Sequence, residues 1–407
     1  MKIITIHTNK FKSRAISIVL PLPLNEKTTD YNLIASIIKR GCLKYPSSKE
    51  ICKHLEELYG AVFEIIITKK GEKLLINFYI QFIDNKYALY NEDILNEVIK
   101  FLYEIIYNTI IENEEFKNEY FIQEKENLKT LINSRIDNKD EYVIERAAEL
   151  CTEGEPYEIF EHGDITLLNS IENKKLASLW LDTINSYELF MVSCGNMDKN
   201  ILEDLVNKYF DKKNTKQVSE DIIISKKYIF KEKFEKLKVN QGKICLCYRT
   251  NINIKNGDYY ALSVMNSIIG GGTHSKLFKE VREKNSLAYY IYSFVEKYKG
   301  LLFVTAGIEF ESYDNVKKII TDQIISISIG DISDCEIENS KKKIISDLKS
   351  AADSQIGIMD YVSSLRAYDV NDDISNVICG IENVSKDRII KASENLFLGS
   401  SYFLINN

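Results

Sequence analysis

An arginine and a tyrosine in the second half of the chain carry the side chains best suited to chemistry on a peptide. Arg282 lies near the end of a predicted helix, and Tyr289 opens a predicted strand seven residues later. The turn between them can bring both side chains to the same edge of the domain. A guanidinium and a phenol are both good hydrogen-bond donors, so the pair could bind a peptide carbonyl or an oxyanion that forms from it.

The same residues also have a purely structural interpretation. An arginine in the last turn of a helix can bind free backbone carbonyls, and a tyrosine in a hairpin can simply pack. The neighbouring Tyr290 and Tyr292 leave the same choice open between packing and recognition. An earlier, similar stretch has Lys53 and Gly60 at the equivalent positions, so the fold does not require the pair.

The sequence contains no recognisable metal or nucleophile motif. The histidines are too far apart for two to share a helical turn: His7, His54, His162 and His274. His54 begins HLEEL, but Leu58 stands where a second ligand would be needed. No GxSxG or CxxC motif is present, and the glycines at 270–272 lack the lysine of a phosphate loop. We therefore expect no metal on this chain, and we expect its eight cysteines to be buried free thiols in a reducing compartment.

The elements that must position Arg282 and Tyr289 form a pattern that occurs twice. A helix ends at the glycines, a second helix covers 275–283, and two strands at 288–295 and 301–308 follow. The earlier stretch has the same plan. Its landmarks lie 229 positions upstream, with Tyr31, Gly41 and Gly71 preceding Tyr260, Gly270 and Gly300. The chain is therefore predicted to contain two copies of one domain.

The domain boundaries follow from this repeat. We predict domains at residues 1–210 and 222–407, joined by a linker at 211–221, where DKKNTKQVSED contains one aliphatic residue. The second copy is expected to begin with a strand at 222–228. The predicted fold class is α/β (α+β), with a mostly antiparallel sheet packed by helices in each domain.

Composition limits the classes of partner. The 407 residues are 45% hydrophobic and 28% charged, enough apolar material for two cores. A net charge of -7 and a pI near 5.5 argue against a nucleic-acid partner. No long apolar run or secretory leader is visible, so we expect a cytoplasmic location without membrane contact.

The stretch GGGTHSKLFKEVREKNSLAYYIYS resembles the C-terminal-domain signature of the insulinase/pitrilysin-type zinc metallopeptidases, the inverzincins, and particularly their processing-peptidase branch. Chains of this family are tandems of two homologous metallopeptidase-like domains that form one half of a clam shell. The resemblance implies the same architecture here, in agreement with the internal repeat.

In the family, the active domain carries HxxEH on its first long helix and a glutamate ligand downstream. By this resemblance the two histidine positions fall on Asn32 and Ser36, the catalytic base falls on Ala35, and the third ligand falls near Leu131. Zinc in such a site needs two imidazoles and a carboxylate, and its water needs a base. The resemblance therefore implies that this chain neither binds catalytic zinc nor hydrolyses peptides alone.

The arginine and tyrosine that contact substrate in the family match Arg282 and Tyr289. In heterodimeric members one chain holds the zinc and the other supplies this pair. The resemblance thus implies a non-catalytic subunit, with a homologous HxxEH-bearing partner that carries zinc and a peptide as substrate. The chain is also similar to a bacterial group linked to the 5-aminopentanol modification of elongation factor P. The alternative is a peptide- or protein-binding scaffold with no peptidase partner.

Overall fold

The structure, a computed structural model, describes residues 1–90, 92–211, 214–219, 229–255, 258–394 and 396–406. The first half of the chain forms β1 (Lys2–His7), β2 (Ser13–Pro23), α1 (Thr28–Ile38), α2 (Ser48–Glu57), β3 (Val62–Lys70), β4 (Lys73–Ile83), α3 (Ile94–Tyr107), β5 (Ile111–Glu112), β6 (Glu115–Phe116), α4 (Asn118–Ser134), α5 (Lys139–Cys151), α6 (Ile165–Ser170), α7 (Asn173–Ser186), β7 (Phe190–Gly195) and α8 (Lys199–Tyr209).

The second half forms β8 (Lys231–Lys236), β9 (Gly242–Arg249), α9 (Tyr259–Gly270), a π-helical turn (Phe278–Lys284), β10 (Ala288–Glu296), β11 (Leu301–Ile308), α10 (Tyr313–Ser328), α11 (Asp334–Ala351), α12 (Gln355–Ala367), α13 (Ile374–Glu382), α14 (Lys386–Glu394) and β12 (Phe397–Ile405). None of the described helices combines the length and the apolar composition that a bilayer-spanning helix requires.

Two five-stranded sheets have the same strand order. The first sheet runs β1-β7-β2-β4-β3, and the second runs β8-β12-β9-β11-β10. In each sheet the first pair is parallel and the other pairs are antiparallel. Successive residues of a strand point to opposite faces of the sheet. Nearly every residue of β4, β7, β9 and β11 is buried, so these strands are covered on both faces. This matching topology confirms the duplication and the mixed α/β fold class that the sequence predicts.

The two compact units are discontinuous in sequence. The first unit comprises Met1–Ser134, Ile159–Asp221 and Ser354–Asp369, so it includes α12 from the second half. The second unit comprises Arg135–Glu158, Ile222–Asp353 and Val370–Asn407, so it includes α5 from the first half. The exchange is reciprocal, because α5 and α12 begin 216 positions apart, at residues 139 and 355, and have equal length.

Buried side chains hold each exchanged helix in its unit. Gln355, at the start of α12, donates from Nε2 to the Ser13 carbonyl at 2.9 Å and accepts from Gln81 at 2.8 Å. In the second unit, Val143 and Ala147 of α5 are fully buried in a cluster with residues of β9, β11 and β12. Hydrogen bonds of Gln355 therefore hold α12 on the first sheet, and burial of apolar side chains holds α5 on the second sheet.

The predicted linker is only partly described. Residues 212, 213, 220 and 221, and the predicted strand at 222–228, lie outside the described residues. The described stretch 214–219 is held against the first unit. Asn214 donates to the carbonyls of Ile184 and Tyr187 at 2.7 and 2.8 Å, and Lys216 forms a parallel bridge with Tyr187. This stretch is therefore bound to α7 and the residue after it, rather than running free.

The expectation of buried thiols is correct for five cysteines: Cys42, Cys151, Cys194, Cys245 and Cys247. It is wrong for the other three, which are exposed on helices: Cys52, Cys335 and Cys379. Each of these three cysteines lies on the solvent-facing side of an amphipathic helix.

Candidate functional site

Arg282 lies on the π-helical turn of the second unit, where the sequence predicts an ordinary helix at 275–283. The side chains of Leu277 and Val281 are fully buried and anchor this turn in the protein interior. The Arg282 side chain is exposed, and its guanidinium lies 5.0 Å from the centre of the Phe278 ring. Single π-helical turns occur frequently at functional sites, because the extra residue redirects side chains. The Arg282 guanidinium therefore projects into solvent from a turn that buried side chains anchor.

Tyr289 lies at a β-bulge at the start of β10. In the pairing with β11, Ala288 opposes Ile308 and Tyr290 opposes Gly307, so Tyr289 is the extra residue. Its side chain is 57% exposed, and its hydroxyl donates a hydrogen bond to the Glu309 carboxylate. Bulges often redirect a side chain next to a binding site. The hydrogen bond to Glu309 and the negative charge of its carboxylate raise the pKa of Tyr289.

β10 is the last strand of its sheet. An edge strand presents unpaired backbone donors and acceptors that can pair with an extended peptide. Arg282 and Tyr289 belong to one short segment that leads into this edge. Among the described residues no hydrogen bond or ring contact joins the two side chains, so the expectation that they act on one group stays a prediction.

The helix face that would carry zinc ligands is occupied by hydrogen bonds within the chain. Asn32 on α1 is buried, and its Nδ2 donates to the carbonyls of Thr28 and Glu161 at 2.9 and 2.7 Å. Its Oδ1 lies 3.3 Å from Nδ1 of His162. The Ser36 hydroxyl donates to the carbonyl of Asn32 at 3.1 Å. An amide and a hydroxyl engaged in this way do not fit the imidazole and carboxylate set that zinc requires.

The remaining two predicted positions add no ligand. Ala35 is a buried methyl group on α1, and Leu131 is an aliphatic side chain, partly exposed on α4. The nearby carboxylate of Glu124 is already paired with Arg40 at 3.4 Å. Within the described residues no group of three or more His, Cys, Asp or Glu side chains could hold a metal ion. The donor chemistry of these positions is therefore incompatible with a catalytic zinc site.

The other candidate histidine has a packing role. His54 on α2 stacks on Tyr45, with 4.6 Å between ring centres, and packs near Phe101 at 5.6 Å. Burial lowers its pKa, and Lys44 lowers it further. His54 is thus a half-buried imidazole that packs on aromatic rings, which agrees with the missing second ligand at Leu58.

Sequence reasoning missed two carboxylates next to the candidate pair. Glu309, directly after β11, binds the Tyr289 hydroxyl. Asp140, on the exchanged helix α5, accepts hydrogen bonds from Tyr290 and from Lys243. No local pattern connects Asp140 with a strand 150 positions away. The position of Glu309 after a predicted hairpin strand was the one signal that could have indicated its contact.

The repeated topology, and the lack of imidazole and carboxylate side chains at the four positions predicted for the zinc site, agree with a metallopeptidase-like fold. A family model described as the peptidase M16 inactive domain matches residues 189–344. A Bacillus subtilis (strain 168) protein described as a probable inactive metalloprotease, YmfF, is 32% identical over 98% of this chain and 94% of its own length. The chain belongs to the peptidase M16 family and is an inactive M16 peptidase-like protein.

Solved structures have the same fold. A conserved protein from Enterococcus faecalis V583 matches with a TM-score of 0.91 and 27% identity, over 100% of this chain and 96% of that chain. A protease from Helicobacter pylori matches with a TM-score of 0.81 and 14% identity, over 99% of this chain and 96% of that chain. Because the Helicobacter pylori protease is only 14% identical to this chain, its similarity concerns the fold alone.

Proposed function

We propose that this chain is the non-catalytic subunit of a heterodimeric zinc metallopeptidase. Its partner would be a homologous chain with HxxEH, and this chain would supply Arg282 and Tyr289 to the partner's zinc site. The observation that carries the proposal is the contrast between the two units. The second unit presents two donors from a π-helical turn and a bulge, whereas Asn32 and Ser36 of the first unit have no capacity to bind zinc.

The two donors match the needs of peptide hydrolysis. The zinc of the partner would supply the Lewis acid and the activated water. The guanidinium of Arg282 and the phenol of Tyr289 would bind the carbonyl oxygen of the substrate and the negative charge that develops on it. For this, the Tyr289 hydroxyl leaves Glu309 and donates to the substrate instead.

The edge of the first sheet offers a second contact for the peptide. β3 is nine residues long and forms the edge of that sheet. Its central residues, Ile65, Ile66 and Ile67, are only half-buried. An apolar edge strand of this length is a good template for strand addition by an extended peptide. We propose that this edge can also hold an extended peptide by strand addition.

A finer proposal concerns the biological substrate. The sequence resembles the bacterial group linked to the 5-aminopentanol modification of elongation factor P, so we propose that the complex acts in that modification. Deleting the gene should abolish the modified form of elongation factor P, as measured by the intact mass of the factor. An unchanged mass would contradict this link without affecting the proposed subunit role.

The first experiment is a native pull-down of this chain from its own cells, with mass spectrometry of the bound proteins. A near-stoichiometric partner carrying HxxEH supports the heterodimer. A chain recovered alone, with a peptide retained, favours the alternative function, a binding scaffold that holds peptides at β3 without any peptidase.

The decisive variant is Arg282→Ala in the reconstituted complex. Loss of one donor to the developing oxyanion is expected to lower turnover by roughly 10²–10³-fold. Lys53→Ala is the matched control, because Lys53 is an exposed cation at the equivalent point of the first copy, paired loosely with Glu57 at 3.9 Å. Undiminished turnover of the Arg282→Ala complex, or an equal loss in the control, would exclude the proposed role.

A further inference from the structure

Tyr289 can serve a partner only if the bulge that presents it is held in place, and its neighbour Tyr290 makes the relevant contact. We infer that Asp140 and Tyr290 form a positioning pair that fixes the start of β10, so that Tyr289 projects to solvent. The effect on peptide hydrolysis rests on the proposed function, whereas the effect on the bulge itself does not.

Asp140 joins three elements of the second unit. Its Oδ1 accepts a hydrogen bond from the Tyr290 hydroxyl on β10 and from Nζ of Lys243 on β9 at 2.7 Å. Nζ of Lys243 also lies 4.7 Å from the centre of the Tyr290 ring. The carboxylate on the first turn of α5 therefore binds both strands through charge-assisted hydrogen bonds, which are stronger than neutral ones.

The Tyr290 ring is seated where only glycine leaves room for it. Gly307 faces Tyr290 across the ladder, and a Cβ atom added there would lie 2.6 Å from Cε1 of Tyr290. No side chain could occupy that space without displacing the ring. The ring and hydroxyl of Tyr290 are thus fixed by β11 on one side and by Asp140 at the end. Burial, and secondly the hydrogen bond to Asp140, raise the pKa of Tyr290.

The other face of β10 is anchored three residues further along. The Ser293 hydroxyl donates to the carbonyl of Asn266 on α9 at 3.2 Å. A Cβ atom added to Gly270 would lie 2.6 Å from the Ser293 nitrogen, so the end of α9 packs closely on the strand. With Ala288 buried and paired with Ile308, the residues on both sides of Tyr289 are fixed.

With both neighbours of Tyr289 fixed, the side chain of this bulge residue projects toward solvent. If Tyr290 lost its contact with Asp140, the bulge could shift along β11 by the one residue that it already contains in excess. Tyr289 would then lose its orientation, although its own side chain would be unchanged. Asp140 and Tyr290 act through Tyr289 and do not touch the substrate, so they are positioning residues.

The test uses a double-mutant cycle in the reconstituted complex. Tyr290→Phe removes only the hydroxyl, and it is expected to lower kcat by about tenfold with little change in KM, as for a small misplacement of a catalytic group. In a Tyr289→Phe background the same change should have no further effect, because Tyr290 acts only through Tyr289. Tyr292→Phe, two residues along the same face, is the matched control and should leave kcat unchanged.

A second readout needs neither the partner nor activity. Hydrogen exchange of the full chain, followed by mass spectrometry of peptides covering residues 286–292, should be faster in Tyr290→Phe and in Asp140→Ala than in the parent. Unchanged exchange in both variants would overturn the inference, and so would kinetic losses that simply add in the cycle. If Tyr289→Phe alone leaves turnover intact, the proposed function fails, and the exchange experiment still decides whether Asp140 fixes the bulge.

Discussion

Glu309 and Asn32 show how one side chain can set the state of a candidate site. The Glu309 carboxylate accepts a hydrogen bond from the Tyr289 hydroxyl. A substrate that binds this hydroxyl must therefore replace Glu309 as the acceptor. Asn32, which the family resemblance predicts to stand at a ligand position, uses its amide to bind the Glu161 carbonyl of its own unit. The first contact holds a hydrogen-bond donor at the surface, whereas the second gives a buried amide a structural role.

The role of Glu309 predicts a change in the titration of Tyr289. Deprotonating Tyr289 beside an ionised carboxylate is unfavourable, because the hydrogen bond is lost and two negative charges meet, so its pKa is raised above the ordinary 10.0. Glu309→Gln should therefore lower the pKa of Tyr289 toward that value, as measured by NMR of ¹³C-labelled tyrosine. The midpoint of Tyr292 serves as the internal reference. An unchanged midpoint for Tyr289 would show that its hydroxyl is not held by Glu309 in solution.

At the scale of elements, helix α1 is the helix on which the family resemblance predicts the missing zinc ligands. It is almost wholly buried, and the loop containing Glu161 and His162 is bound to it by Asn32. Gly163 packs closely here, because a Cβ atom added to it would lie 2.7 Å from Cα of Thr29. The sequence predicted the helix, but the contact of Asn32 with Glu161, 129 positions away, has no local signal.

This arrangement predicts that Asn32 contributes to stability. Asn32→Ala removes the donor that binds the half-buried Glu161 carbonyl and leaves a gap at a buried position, so we expect a loss of about 1–3 kcal/mol in the free energy of unfolding. Ser36→Ala is the control, because the Ser36 hydroxyl bonds only a carbonyl of its own helix, and it should cost less than about 0.5 kcal/mol. Urea unfolding of both variants measures the difference. Equal midpoints for the two variants would contradict a role of Asn32 in holding the loop.

At the scale of the whole chain, the repeat made most of the architecture predictable. The 229-residue offset also relates Lys2 at the start of β1 to Lys231 at the start of β8. The sequence analysis did not predict β8 and expected the first strand of the second copy at 222–228, because KEKFEK has too few apolar residues to indicate a strand by itself. The exchanged helices could not be predicted in the same way. Amphipathic patterning shows that α5 and α12 bury one face, but it does not show which sheet receives it.

The exchange predicts the behaviour of the isolated second domain. A fragment of residues 222–407 lacks Arg135–Glu158, so its sheet loses the cover of Val143 and Ala147 and exposes Cys245, Phe303 and Leu404. It also loses Glu155, the buried carboxylate that binds Arg249 and Lys299, each at 2.8 Å. Removing the anion of a buried ion cluster costs about 3–5 kcal/mol, in addition to the lost apolar burial.

We therefore expect the fragment 222–407 to be insoluble or to lack fixed tertiary packing, with weak near-UV circular dichroism and poor NMR dispersion. A fusion of residues 135–158 to its N-terminus through a Gly/Ser linker should restore both signals. The same fusion with Glu155→Gln should restore them less completely, whereas Glu153→Gln, at an exposed ion pair with Lys231, should behave as the parent fusion. If the fragment without residues 135–158 is already well folded, α5 is dispensable to the second unit and the boundary at 222 describes an independent domain.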